Sequence, residues 1–323
     1  MHCNRQNYRW VLGSDDPSWT QATVISALSS LPHLQEFHIT IGNDSYPLQI
    51  DCLSGLKKIK VSLTRTPFQA DDSYYPRILE GLATVIASSP QLAHLEVNSN
   101  GAWYSGDSAP TLHSLLEKVP QDIPLQLTHL TLCGISARLD SQTLPHLRSL
   151  VYLNLDCLYS MLPATNPYHA PQMLESASTA TGVYAILDRQ NIHLKHVVIG
   201  CMMNDVILDY LGSYSGLETL DLRSPSSSSP NAAEVSDTLS HKFYTSVLPK
   251  HINSLRVLKI RPAYEGGWCY NTDKVYSVLA QCTKLRSLSI ALNSVPTINL
   301  HHRMQLHHYD PQWSRSDHFD DAV

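Results

Sequence analysis

One short pattern of apolar residues recurs along almost the whole chain and constrains the fold more than any other feature. It consists of an apolar residue, two variable residues, a second apolar residue, one variable residue and a third apolar residue. The last two apolar positions lie two residues apart, which puts both side chains on one face of a β-strand. The pattern therefore predicts nine strands with a shared apolar face, at residues 34–39, 56–61, 92–97, 127–132, 150–155, 194–199, 217–222, 255–260 and 285–290.

Most of the segments between these strands carry apolar residues at helical spacing. A strand, a helix and a second strand joined in this order favour a right-handed crossover and parallel pairing. We therefore expect an α/β fold in which helices alternate with the strands of a parallel sheet. The candidate helices lie at residues 19–31, 77–88, 112–119, 173–187, 206–211, 243–248 and 275–279.

The strand pattern is that of the leucine-rich repeat, whose units stack into a curved solenoid. Successive copies begin 22 to 44 residues apart, whereas a regular repeat takes about 20–29 residues. The asparagine that usually follows the strand is matched only by Asn100 and Asn293. The sequence thus predicts about nine irregular units, with a curved parallel sheet on the concave face and helices on the convex face.

The two ends of the chain fall outside this pattern. We predict an N-terminal leader at residues 1–16, the leucine-rich-repeat solenoid at 17–300 and a disordered tail at 301–323. The tail is rich in histidine, but it offers no cysteine and no stable frame, so no metal site is predicted there. The Ser- and Pro-rich segment 224–237 is typical of a surface loop.

Composition excludes several classes of protein. The 323 residues carry a net charge of −5 with an isoelectric point near 6.4, which argues against a nucleic-acid partner. No apolar run reaches the ~20 residues that cross a membrane, and the first residues lack the apolar stretch of a secretory signal. The seven cysteines form no C-x-x-C pair. They predict reduced, mostly buried thiols in a cytoplasmic or nuclear protein.

Motifs for enzymatic chemistry are missing from the sequence. It has no phosphate-binding loop, no dinucleotide fingerprint and no H-E-x-x-H zinc motif, so neither a cofactor nor a catalytic residue is predicted. Residues 212–216 resemble a nucleophile turn but place Tyr214 where serine belongs. A hydrolase acting through Ser108, in the short match Gly106-Asp107-Ser108, stays open as an alternative to a non-catalytic protein.

Two segments of the chain resemble fungal F-box/leucine-rich-repeat proteins, whose repeat region is of the ribonuclease-inhibitor-like type. They are 264–270 (YEGGWCY) and 278–288 (VLAQCTKLRSL), and the turns SPQLAHL and LPHLRSL have the same style. The resemblance covers about residues 17–292 and implies a domain that binds a target protein. In that family an F-box ahead of the repeats recruits the Skp1 adaptor of a ubiquitin ligase.

Residues 1–16 are too few to hold an F-box. The resemblance therefore implies the substrate-binding part of a ubiquitin-ligase receptor without its F-box, with Skp1 as a partner only where an F-box lies upstream. A leucine-rich-repeat scaffold or regulator unrelated to ubiquitin, of the kind that inhibits a GTPase or a ribonuclease, is the alternative.

The variable residues between the apolar positions face away from the core, toward the expected concave surface. They form two columns that mix charges, hydroxyls, histidines and a tyrosine, and this mixture suits a protein partner better than a phosphate backbone. One column contains three histidines and a tyrosine, which favour either a recognition stripe that titrates near neutral pH or ordinary solvated residues. The predicted binding residues are His94, Glu96, His129, Thr131, Tyr152, Asn154, His196, Thr219, Asp221 and Lys259.

Overall fold

A single sheet of ten parallel strands forms the centre of the computed structural model. The structure describes residues 6–12, 17–42, 49–63, 74–99, 111–156, 182–201, 203–223, 225, 233–262, 265–270 and 273–292. The order of the strands in the sheet follows the chain from β1 to β10. The predicted parallel α/β architecture is confirmed. The strands are β1 (Gln6–Leu12), β2 (Leu34–Ile41), β3 (Lys58–Leu63), β4 (His94–Ser99), β5 (His129–Cys133), β6 (Tyr152–Asp156), β7 (His196–Ile199), β8 (Thr219–Arg223), β9 (Val257–Arg261) and β10 (Ser287–Ile290).

Helices alternate with many of the strands, and each candidate helix of the sequence overlaps an observed helical segment. The connection between β5 and β6 holds a short 3-10 helix, Leu144–Leu147, that the apolar spacing did not reveal. The helices are α1 (Ser18–Ser29), α2 (Tyr74–Ala87), α3 (Leu112–Leu116), α4 (182–189), α5 (Asp205–Ser213), α6 (Ala233–Lys242) and α7 (Asp273–Gln281), and a π-turn and a 3-10 turn occupy Phe243–Val247 and Leu248–His251.

One apolar core lies between the helices and the sheet. On β4, Leu95 and Val97 point into this core and are at most 1% exposed, and the alternation of the strand turns the residues between them to the opposite face. Helix residues such as Ile78 and Leu82 on α2 belong to the same apolar cluster. The apolar pattern of the sequence therefore marks the face of the sheet that the helices cover.

The strands begin with one regular backbone arrangement. The amides of Ala93 and His94 both donate to the carbonyl of Lys57, at 3.0 and 3.1 Å, so that β4 is fastened to the residue that precedes β3. The same arrangement recurs at the start of each strand from β5 to β10. It fixes the register along the sheet, and equivalent residues of neighbouring strands consequently stand side by side.

Buried polar side chains fasten successive units to one another. The imidazole of His251, which is 1% exposed, accepts a hydrogen bond from the amide of Leu217 at 3.4 Å and donates to the carbonyl of Leu211 at 2.8 Å. Ser89 accepts from the amide of Leu56 at 3.1 Å in the same manner. A buried amide without a partner destabilises a protein. These side chains therefore provide hydrogen-bond partners for backbone amides that are buried between neighbouring strands.

Tyrosine and a second histidine play the same role elsewhere. The hydroxyl of Tyr210 accepts from the amide of Leu194 at 3.3 Å and donates to the carbonyl of Ile192 at 2.9 Å. His146 is fully buried and accepts from the amide of Leu125 at 3.0 Å. These contacts could not be predicted from the sequence, because the donors and acceptors lie 16 or more residues apart.

Two sequence-based assignments need correction. Strand β1 lies inside residues 1–16, which were assigned to a leader, and it pairs in parallel with β2. The helix α6 begins at Ala233, inside the segment 224–237 that was assigned to a loop. The predicted tail at 301–323 lies outside the described residues, as do Asn100, Asn293 and Ser108.

The described cysteines agree with the sequence-based expectation of buried thiols. None of the described cysteines, Cys52, Cys133, Cys201, Cys269 and Cys282, forms a disulfide, and only Cys52 among them is exposed. Among the helices that the structure describes, none combines the length and apolar character that a membrane span requires.

Candidate recognition face

The side chains that alternate with the core residues form the other face of the sheet, which we call the polar face. Its lower row contains the first column of the sequence, and the strand pairing places these residues side by side as predicted. The lower row is Glu36, Lys58, His94, His129, Tyr152, His196, Thr219, Val257 and Ser287.

Two further rows complete the polar face. The middle row is the second predicted column, extended to β1 by Arg9, and the upper row lies one step farther along the strands. The middle row is Arg9, His38, Lys60, Glu96, Thr131, Asn154, Val198, Asp221, Lys259 and Ser289. The upper row includes Thr40, Ser62, Asn98, Cys133, Asp156, Arg223 and Arg261.

All ten predicted binding residues lie on this face, but their exposure differs. Thr131, Asn154 and Asp221 are buried, with 8%, 8% and 3% of their surface exposed. The other seven predicted residues are half-buried. Strand alternation places a side chain on a face, whereas its exposure depends on how the neighbouring side chains lie over it. Among the predicted residues, those of the lower row, together with Glu96 and Lys259 in the middle row, are therefore the ones that a partner can reach.

Four rings of the lower row stack along the sheet from β4 to β7, and we call them the ring ladder. The ring centroids of His94 and His129 lie 3.6 Å apart, those of His129 and Tyr152 lie 5.5 Å apart, and those of Tyr152 and His196 lie 6.4 Å apart. The neighbouring strands of a sheet are about 4.8 Å apart, so in-register rings meet naturally.

Hydroxyl groups hold two of these imidazoles in place. Nδ1 of His129 lies 2.9 Å from the hydroxyl of Thr128, and Nδ1 of His196 lies 3.0 Å from the hydroxyl of Thr219. These contacts restrain the rotation of both rings. The ladder is consequently an ordered surface of flat rings.

The histidines of the ladder are harder to protonate than free histidine. Burial, assisted by the neighbouring His129 and Lys58, lowers the pKa of His94 to about 4. Burial also lowers the pKa of His129 and of His196. The three imidazoles are therefore mainly neutral at pH 7 in the unbound protein, which speaks against the first of the two alternatives, a recognition stripe that titrates near neutral pH.

A cluster of ion pairs lies across the middle and upper rows next to the ladder, and Asp221 is the one member of it that was predicted from the sequence. Nη1 of Arg223 lies 2.7 Å from Oδ2 of Asp156, and Nε of Arg223 lies 3.3 Å from Oδ2 of Asp221. Nη2 of Arg261 approaches the same Asp221 oxygen at 3.5 Å. Carrying the two columns one step farther along each strand would have revealed Asp156, Arg223 and Arg261.

A glycine allows this cluster to reach across a strand. Arg223 lies on β8 and Asp156 on β6, and Gly200 directly follows the intervening strand β7. A Cβ atom on Gly200 would lie only 2.1 Å from a carboxylate oxygen of Asp156. A residue with a side chain at this point would displace that carboxylate. The glycine is therefore the local condition for the Arg223–Asp156 ion pair.

Other charged groups mark the two sides of the ladder. Lys60 and Glu96 form an ion pair at 2.9 Å, and Oε1 of Glu96 also accepts a hydrogen bond from the side-chain Nδ2 of Asn98 at 2.7 Å. Beside His196, the carboxylate of Glu218 lies 3.8 Å from Lys195 and 3.4 Å from Arg256. Two cations thus share one carboxylate there.

Among the described residues, no group of three or more His, Cys, Asp or Glu side chains could hold a metal ion. Burial raises the pKa of the Cys133 thiol to about 12, so this thiol stays protonated. Nδ1 of His113 lies 2.6 Å from Asp140, while Ser108, the residue on which the hydrolase alternative depends, lies outside the described residues.

The chain was compared with known proteins in three ways. No family model matches it, and the comparisons with curated proteins and with solved structures also found no match.

Proposed function

We propose that the protein is a leucine-rich-repeat solenoid that recognises another protein through its polar face and performs no catalysis. The observation that carries this proposal is the ring ladder, whose four side chains stand in register on β4 to β7 and remain partly exposed. Aromatic side chains supply contact area at a small cost in conformational entropy, and they are enriched at protein interfaces.

The repeat supports the solenoid part of the proposal. Each strand pairs only with its neighbours in sequence, and the same backbone arrangement recurs at the strand starts. In a solenoid the helices cover one face of the sheet and leave the other face for a partner. The polar face is the face of the sheet opposite the one that the described helices cover.

A site-specific photo-cross-linker tests the proposed surface. Benzoylphenylalanine would replace Tyr152 in the ring ladder and, as the matched control, Tyr276, which lies on α7 and is 61% exposed. We expect discrete covalent adducts with a partner protein from position 152 alone when the cells of origin are irradiated. Adducts of equal yield from both positions, or from position 276 alone, would contradict the assignment of the surface.

The role in a ubiquitin ligase is a narrower proposal that rests on the resemblance to F-box proteins. Binding of Skp1 to any gene product in which an F-box precedes these residues tests it, with the chain of residues 1–323 as the control. We expect Skp1 to bind only where an F-box precedes the repeats. Partner adducts at position 152 without any Skp1 binding would instead favour a scaffold or regulator unrelated to ubiquitin.

A further inference from the structure

The charge of the polar face is opposite in sign to that of the chain. The three rows contain six cationic and four anionic side chains, a net charge of +2, whereas the whole chain carries −5. The remainder of the protein is therefore more acidic than the total suggests. The cations are Arg9, Lys58, Lys60, Arg223, Lys259 and Arg261, and the anions are Glu36, Glu96, Asp156 and Asp221.

Most of the anions on this face are already engaged. Asp221 has only 4% of its side chain exposed and Asp156 only 17%, and both contact Arg223. Glu96 is paired with Lys60. Within these ion pairs the cations are the more exposed partners, since the side chains of Lys60 and Arg261 keep 40% and 43% of their surface exposed, against 27% for Glu96 and 4% for Asp221. An approaching partner consequently meets mainly positive charge.

The cations lie on both sides of the ring ladder. Lys58 stands on β3, one strand before His94, while Lys259 and Arg261 stand on β9, two strands after His196. Six strand spacings separate β3 from β9, a distance of about 29 Å at about 4.8 Å each. An extended polypeptide rises about 3.3 Å per residue, so about nine residues cover this distance.

We propose that the polar face binds an acidic polypeptide segment that crosses the strands over the ring ladder, with carboxylates facing Lys58 at one end and Lys259 and Arg261 at the other. This inference rests on the proposed function and specifies the chemistry of its partner. Opposite charge guides association and selects among partners. The net charge of −5 on the whole chain opposes a long phosphate backbone that would extend past this face, which makes nucleic acid the less suitable occupant.

The ladder adds a pH dependence to this binding. His94 faces His129 and Lys58, and His129 in turn faces Lys58 and His196. Protonation of either imidazole is therefore opposed by its neighbours in the unbound protein. His196 is additionally surrounded by Lys195, Arg256 and Glu218, and the ring of Tyr152 lies between His129 and His196. A row of carboxylates above the rings offsets this repulsion, so binding takes up protons and strengthens as the pH falls.

The test measures fluorescence anisotropy with a labelled twelve-residue peptide of alternating glutamate and serine. A peptide with lysine in place of glutamate and a single-stranded oligothymidine of similar length serve as comparison probes. We expect the acidic peptide to bind at least tenfold more tightly than both, and about tenfold more tightly at pH 6.0 than at pH 7.5. Equal or tighter binding of the basic peptide or of the oligonucleotide would overturn the inference.

Charge variants locate the binding to the polar face. We expect the double variant Lys58→Glu/Lys259→Glu to lose at least tenfold in affinity, and the milder Lys58→Gln/Lys259→Gln to lose about threefold. Lys250→Glu, which changes an exposed lysine of the Leu248–His251 turn, serves as the matched control and should change affinity less than twofold. Unchanged affinity in both double variants would overturn the inference. Circular dichroism confirms that each variant is folded.

The histidines have their own variant. His94→Gln/His129→Gln should weaken binding at both pH values, because two rings of the contact surface are lost, and should flatten the pH dependence, because glutamine does not titrate. A pH dependence equal to that of the wild type would overturn the role of the ladder. Failure of every acidic probe, together with partner adducts at position 152, would reject the acidic partner but leave the proposed recognition function standing.

Discussion

Strands β9 and β10 carry the same apolar pattern, yet their equivalent leucines differ in solvent exposure. Leu258 on β9 is fully buried, whereas Leu288, its register partner on β10, is 46% exposed. Both leucines face the side of the sheet that the helices cover, so their own units do not explain the difference. Among the described strands β9 has a neighbour on each side and β10 only on one. The exposure of Leu288 thus goes with the position of β10 at the end of the described strand order.

The largest expected effect tests this comparison directly. Leu258→Ala should lower the free energy of unfolding by about 3 kcal/mol, because it removes buried methyl groups and leaves a cavity in a packed core. Leu288→Ala makes the same chemical change at the half-exposed position and should cost less than about 1 kcal/mol. Urea unfolding followed by circular dichroism measures both. Equal losses would show that the position in the row of strands does not set the stability.

A second prediction concerns the polar side chains that fasten neighbouring units. His251→Ala leaves the amide of Leu217 and the carbonyl of Leu211 without partners and opens a cavity, so we expect a loss of about 2–3 kcal/mol. The control is His241→Ala, which truncates an exposed histidine near the end of α6 and should change stability by less than about 0.5 kcal/mol. Similar losses in the two variants would remove the case for a fastening role.

Much of the sheet could be predicted from the sequence because its apolar pattern is local. Nine strands and the alignment of both columns follow from the spacing of a few leucines, and the pairing of His94 with His129 and of Glu96 with Thr131 agrees with it. Strand β1 was not predicted, because its segment lacks the leading leucine of the pattern and depends on pairing with β2. Helix α6 was not predicted because its sequence is mostly polar, with Val235 exposed and Leu239 buried.

The candidate site was harder to predict because exposure and ion pairing depend on residues distant in the chain. Asp156 and Arg223 are 67 residues apart in sequence and meet only because Gly200 leaves room between their strands. The burial of Asp221 likewise depends on arginines from β8 and β9 that lie against it. Strand alternation predicts the row in which a residue stands. The side chains that cover that row, and hence its exposure and ion pairs, depend on the tertiary structure.

The smallest expected effect is the contribution of His251 to the acid sensitivity of the fold. Burial is the largest cause that lowers the pKa of His251 in the folded protein below its unfolded value near 6.5. The folded state then binds fewer protons than the unfolded state, so the contribution is complete above pH 6.5 and decreases as the pH falls below it. One such group changes the free energy of unfolding by at most about 1.4 kcal/mol per pH unit.

The variant His251→Gln separates this contribution from those of the ladder histidines. Glutamine can accept from an amide and donate to a carbonyl, but it does not titrate. Between pH 6.5 and 5.5 the wild type should therefore lose more stability than the variant does, by at most about 1 kcal/mol. Parallel stability curves for the two proteins over this range would mean that His251 keeps an ordinary pKa in the fold. That result would leave the hydrogen bonds of His251 in place but remove it as a source of acid sensitivity, which would then fall to the half-exposed histidines of the polar face.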